Sequence, residues 1–117
     1  MPELKKYKMF IDGEWVDSES KKTFETLNPE NNEPWAVVPE ASAKDVDRAV
    51  KAAQKAFEGE WPKLLPRDRA KFLRAIADQL RKNAEMLGEI ETIDTGKLFR
   101  ETKQQATYIA EYYDYYA

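Results

Sequence analysis

Two hydrophobic periods divide this chain. Up to about residue 40, apolar and polar positions alternate in short runs; beyond residue 42, apolar positions recur at helical spacing. In residues 9–16, "MFIDGEWV", an Asp-Gly pair sits between apolar and aromatic residues. A two-residue type I′ turn needs positive φ at both central positions, so Asp12-Gly13 predicts a hairpin with Phe10 and Trp15 as cross-strand neighbours. "TFETL", residues 23–27, reads as a third strand. Pro29 and Asn31-Asn32 in "NPENNEP" predict a turn. "WAVVP", residues 35–39, reads as a fourth strand ended by Pro39. Strands this short need covering to be stable.

The helical part opens with Ser42 as N-cap and Asp45 three residues on, a capping box with Asp in the usual Glu position. Val46, Ala49, Val50, Ala53 and Phe57 then share one face, and Gly59 ends the helix. A second helix is expected from Pro66, whose missing N–H costs nothing in a first turn. Its buried stripe is expected to be Phe72, Leu73, Ile76, Ala77 and Leu80. Asn83 is the expected cap of a third helix that Gly96 stops in a left-handed conformation. A fourth follows over "LFRETKQQATYIAEYYDYYA", with Phe99, Thr102, Ala106, Ile109 and Tyr113 on one side. The expected fold class is α+β: four amphipathic helices with a small antiparallel hairpin and strand set. The expected organisation is residues 1–40 as hairpin and strands and 41–117 as the helical part, together one incomplete domain.

Composition narrows the chemistry. The 117 residues suffice for one modest core, and 42% hydrophobic with 35% charged residues is globular rather than disordered. Acids (22) and bases (19) are mixed along the chain, which argues against a nucleic-acid surface. Without cysteine or histidine there is no thiol nucleophile, no imidazole base and no ordinary zinc site. No apolar run approaches a membrane span, and "MPELKKYKMF" holds no signal core, so the expected compartment is the cytoplasm.

The remaining candidates are weak when taken singly. "TGK", residues 95–97, lacks both halves of a phosphate loop: Glu91 stands where the first glycine belongs, and Leu98 where Ser or Thr belongs. Glu89, Glu91 and Asp94 read as solvated helix charges, because an acid/base pair needs a buried, shifted member. Lys97 would need desolvation to act as an amine nucleophile. "RDRAKFLR" reads as the wet face of a helix, and Trp35 and Trp61 as packing anchors. Five tyrosines fall in the last ten residues. Such an aromatic face either covers the chain's own core or docks on residues outside it.

Taken in order, "MFIDGEWVDSESKKTFETLNPENNEP", "VPEASAKDVDRAVKAAQKAF", "WPKLLPRDRAKFLRAIADQL", "ETIDTGK" and "YYDYYA" resemble the amino-terminal part of the aldehyde dehydrogenase superfamily. The resemblance runs over nearly the whole chain from Met9. Two positions depart from the family pattern: Asn32 stands for a usual glycine and Leu98 for a usual proline. The resemblance implies a longer enzyme that oxidises an aldehyde to a carboxylic acid with NAD or NADP. That enzyme would use a cysteine nucleophile and a general-base glutamate, both lying beyond this segment, as do the cofactor-binding strands. It also implies that Tyr108 and Tyr112 border an aldehyde access tunnel. Asp94, with the backbone carbonyls of Thr26 and Leu27, would hold a sodium or potassium ion; the alternative is that Asp94 caps the next helix. By the same resemblance the partner is the remainder of the polypeptide or other subunits. This chain alone is then expected to bind no cofactor and to be inactive. The competing reading is a non-catalytic module that binds a protein through its tyrosine helix.

Overall fold

The computed structural model describes residues 4–117, so the first three residues of the expected N-terminal block lie outside the described residues. The elements are β1 (Lys5–Lys6), β2 (Met9–Ile11), β3 (Glu14–Val16), β4 (Thr23–Asn28), β5 (Glu33–Pro39), α1 (Ala43–Glu58), α2 (Pro66–Lys82), α3 (Ala84–Thr95) and α4 (Phe99–Tyr116), with a 3₁₀ turn at Trp61–Lys63. They form two compact units. One ends at Pro62 and includes the strands and α1; the other is Lys63–Ala117.

In the first unit β2 and β3 pair antiparallel, with Phe10 opposite Trp15 as the Asp-Gly turn requires. Asp12 and Gly13 both have positive φ, 53° and 82°. The two rings lie 5.0 Å apart. A second sheet has the order β1-β5-β4. β4 and β5 are antiparallel, with a register shift at Thr26/Leu27, whereas β1 runs parallel to β5. No alternation marks "KK" as a strand; Lys5 and Lys6 are held by the edge of β5. The β4–β5 turn is built by asparagines. The Asn28 and Asn31 side-chain oxygens accept from the amides of Glu30 and Glu33, each at 3.0 Å. Asn32 adopts φ 60°, so it supplies the left-handed residue where the family has glycine. Ala36 on the central strand and Ile11 on β2 are buried.

The capping box at α1 forms as the spacing predicts. Ser42 accepts from the Asp45 amide, and Asp45 accepts from the Ser42 amide. The apolar face of this helix, however, is open: Val46, Val50 and Phe57 are all more than half exposed.

The second unit packs α4 against α2 and α3. Its buried side chains are small: Ala70 and Ala77 from α2, Ala84 from α3, and Thr102, Ala106 and Ala110 from α4. The expected stripe on α2 needs correcting here. The face that packs is Ala70, Leu73, Ala77 and Leu80, while Phe72 and Ile76 stay 54% and 42% exposed. They sit about 100° around the helix from Leu73 and Ala77. Small side chains win the interior because helices can approach closely over them, and the large ones are turned to the flank. On α4, Thr102, Ala106 and Tyr113 pack as expected, joined by Ala110; Phe99 and Ile109 lie at the margin.

Gly96 ends α3 with φ 74°, and its amide donates to the Thr92 carbonyl. Asn83 sits at the α3 N-cap position, yet its side chain bonds backward: Nδ2 donates to the Gln79 carbonyl at 2.8 Å and closes the end of α2.

Candidate functional site

The tyrosine-rich face of α4 follows from its spacing. Tyr108, Tyr112 and Tyr115 turn to the side away from Thr102, Ala106 and Ala110, with Tyr116 at its edge beside Ala70 and Leu73 of α2. Tyr112 donates to the Tyr108 hydroxyl at 3.1 Å, and the rings meet edge to face at 5.2 Å. This hydrogen bond holds the Tyr112 phenol above its ordinary value, and the Glu111 charge adds to the shift. With Glu111, Tyr115 and Tyr116 the pair lines an open groove of about 340 Å³. Beside it Arg81 and Asp114 form an ion pair that ties α2 to α4. A second, more apolar groove of about 510 Å³ runs between α2 and α3, lined by Phe72, Ile76, Leu80, Met86 and Leu87 among others.

Asp94 lies in the last turn of α3, in the second unit, and Thr26 and Leu27 lie at the β4 irregularity, in the first. Leu98 holds the N-cap position of α4 and makes no side-chain capping bond. Lys97 is paired: its Nζ meets the Glu91 carboxylate at 2.7 Å. Among the described residues no group of three or more acids, cysteines or histidines converges to hold a metal ion.

The Rossmann dinucleotide fingerprint is a strand that runs through a glycine-rich turn into a helix. The one strand-to-helix junction among the described residues, β5 to α1, is Glu40-Ala41-Ser42 and holds no glycine. Gly88 is committed to packing, because a Cβ there would meet the Lys103 backbone at 2.8 Å. Neither place forms that glycine-rich fingerprint.

Sequence reasoning missed one buried group's full role. Asp45 is 3% exposed and does more than cap α1. It accepts from the Ser18 hydroxyl at 2.8 Å and from the Glu19 amide at 3.1 Å, which fastens the segment after β3 to the helix. Only the local partner, three residues away, was signalled by spacing; the partners 26 and 27 residues away were not.

The profile of the aldehyde dehydrogenase family matches residues 15–117. The chain belongs to the aldehyde dehydrogenase family. A (Z)-2-((N-methylformamido)methylene)-5-hydroxybutyrolactone dehydrogenase of Acinetobacter baylyi is 42% identical over 115 residues, which is 97% of this chain and 23% of that protein. A betaine aldehyde dehydrogenase of Bacillus subtilis is 40% identical over 110 residues, 93% of this chain and 22% of that protein. Among solved structures, an NAD-dependent aldehyde dehydrogenase from Sinorhizobium meliloti superposes with a TM-score of 0.92 at 33% identity, covering 96% of this chain and 23% of that one. An NAD+ complex of a Bacillus cereus aldehyde dehydrogenase superposes at 0.90 with 39% identity, covering 95% and 23%. The chain thus spans less than a quarter of the length of these aldehyde dehydrogenases, and it matches their amino-terminal region. Among the described residues no helix is long and apolar enough to cross a membrane.

The open apolar faces carry an expected result for the isolated chain. Phe57, Phe72, Tyr115 and Tyr116 are each more than half exposed. Burying such surface is favourable by about 25 cal/mol per Å². The purified 117-residue chain is expected to self-associate, with an apparent mass that rises with concentration in light scattering. A monomer at every concentration would count against it.

Proposed function

We propose that this chain is the amino-terminal part of an NAD(P)-dependent aldehyde dehydrogenase, and that its role there is structural. In the complete enzyme a dinucleotide would be held by residues outside this segment and would supply the hydride acceptor, and this segment would pack around the domain that holds it. The observation that carries the reading is the inversion of side-chain size. Alanines and a threonine fill the interior of the second unit while Phe72 and Tyr115 face outward, and in the first unit Val50 and Phe57 are exposed. That arrangement suits a layer inserted into a larger protein, with the remaining polypeptide or other subunits covering the outward faces. The family match over residues 15–117 supports the same conclusion.

Within this reading Tyr108 and Tyr112 form part of the wall of the aldehyde access tunnel. Tyr112 donates to the Tyr108 hydroxyl, which keeps its own O–H as a donor beside the two ring faces. Asp94 and the carbonyls of Thr26 and Leu27 are kept as ligands of a sodium or potassium ion in the complete protein, on the resemblance alone. A hard cation takes oxygen donors. Thallium exchanged into crystals of the complete protein should give an anomalous peak at the Asp94 carboxylate; backbone amides around that carboxylate instead would remove the ion. The reading also carries a cytoplasmic location.

The experiment for the function is cofactor reduction with a panel of aldehydes. The 117-residue chain alone should give none above a heat-killed control, because no residue in it can act as the thiol nucleophile. Co-expression with a polypeptide that supplies the rest of the family fold should give turnover. Activity in the chain alone, or failure of every complemented form to reduce NAD or NADP, overturns the proposal.

A further inference from the structure

The Asp12-Gly13 turn takes no part in the proposed function, and it brings together the groups of one reaction. No other aspartate in the chain, and no asparagine, precedes a glycine. Both turn residues are exposed. The ladder closes at the tip with Ile11 opposite Glu14, so the Gly13 amide stands outside it. Among the described residues neither the Asp12 carboxylate nor the Gly13 amide has an ion pair or hydrogen-bond partner. A free carboxyl therefore neighbours a free amide. The amide's own residue has no side chain to shield it, and a Cβ built there would meet nothing within 4 Å.

A reaction between the two requires rotation about the Asp12 Cα–C bond, out of the left-handed turn. The structure makes that opening cheap. Asp12 holds φ 53°, a conformation already unfavourable for a residue with a Cβ. The β2–β3 ribbon has three residue pairs and no third strand. Two-stranded ribbons are marginal by themselves. Opening the tip breaks the Ile11–Glu14 pair and leaves Phe10 opposite Trp15, and local opening of this kind costs far less than unfolding.

We infer that Asp12-Gly13 is a modification site, where the aspartate isomerises spontaneously to isoaspartate. The Gly13 amide nitrogen attacks the carbon of the protonated Asp12 carboxyl. A C–N bond forms and a C–O bond breaks; the oxygen leaves as water with the acid proton and the amide proton, and a succinimide ring remains. Water then adds to one of the two ring carbonyls. Opening at the side-chain carbonyl restores aspartate. Opening at the main-chain carbonyl leaves the backbone running through Cβ and Cγ. Neither step needs an oxidant, a reductant or a second substrate beyond solvent water. The product has unchanged mass, one more atom in the main chain of the turn, and a free α-carboxylate. A loop lengthened in this way no longer fits the two-residue turn that sets Phe10 against Trp15. The new α-carboxylate is a substrate for an isoaspartyl carboxyl methyltransferase.

The 117-residue chain, held at neutral pH over weeks and then cut after lysine, releases residues 9–21 as one peptide, because Lys8 and Lys21 bound it. The expected result is a second chromatographic form of that peptide, of unchanged mass. It should accept a methyl group from the methyltransferase, and fragmentation should place the isoaspartate at residue 12. Asp12→Asn keeps the turn preference and makes ammonia the leaving group, and should speed the appearance of isoaspartate severalfold or more. Gly13→Asn keeps a residue that tolerates the left-handed backbone and sets a side chain beside the amide, and should slow it at least severalfold. A parent chain with no methyl-accepting form, a form that maps to Asp17 alone, or a rate unchanged in either variant overturns the inference.

Discussion

Gly88→Ala should loosen the α3–α4 contact and destabilise the second unit by about 1–3 kcal/mol, the range for forcing an extra carbon into a packed interior. The opposing effect is known in size. Alanine in a helix interior is favoured over glycine by roughly 0.8–1 kcal/mol. Here packing should win, because the added Cβ would lie 2.8 Å from both the Lys103 amide nitrogen and its Cα. Those are backbone atoms of α4 and cannot swing aside, so the helices must part. Parting them also stretches the bond from the Thr102 hydroxyl to the Gly88 carbonyl, now 2.9 Å, inside a fully buried site. Thr102→Val separates the two contributions. It removes the hydroxyl, including its 2.9 Å contact with Thr92, without pushing on the backbone, and should cost about 1 kcal/mol. Urea midpoints of the two variants beside the parent chain measure both. A Gly88→Ala chain as stable as the parent would mean that the close approach has been misplaced.

The Gly88 contact also shows where sequence reading stops. Signals that act between near neighbours were legible. The Asp12-Gly13 turn, the Ser42–Asp45 box, Pro66 at the start of α2 and Gly96 at the end of α3 each obey a local rule, and each element begins or ends where that rule places it. Contacts set by the tertiary arrangement were not legible. Nothing within a few residues of Gly88 announces the backbone of Lys103, and nothing in "KK" announces the parallel pairing of β1 with β5. The α2 stripe failed for a related reason. Periodicity finds an apolar sector but does not say which edge of it meets the neighbouring helix, and Phe72 and Ile76 were the larger, more visible half. For Tyr108, Tyr112, Thr26, Leu27 and Asp94 the suggestion came from family resemblance, since no residue pattern in this chain marks a tunnel or a cation by itself.

Acid should release the tie between Asp45 and the segment after β3. Asp45 receives only donors: the Ser42 amide and hydroxyl, the Ser18 hydroxyl, and the Glu19 amide. The bond from the Ser42 amide, then that from Ser18, hold its carboxyl far below the usual carboxylate range, against the cost of burial. The unfolded value is about 3.9. A carboxyl depressed in the folded state binds fewer protons there than in the unfolded chain. Its contribution to stability is therefore complete above about pH 4 and lost as pH falls toward the lower folded value. The charged pair beside it, Lys44 with Glu19, is exposed and contributes little to the difference. Asp45→Asn makes the assignment specific. The amide cannot take a charge, and its NH₂ would confront donors. The variant should be the less stable chain at neutral pH, with the gap in urea midpoint narrowing steadily below about pH 4 as the parent's carboxylate takes up a proton. A gap that stays constant from neutral pH into strong acid would show that the parent's acid sensitivity arises at other carboxylates, and that Asp45 acts through its shape alone.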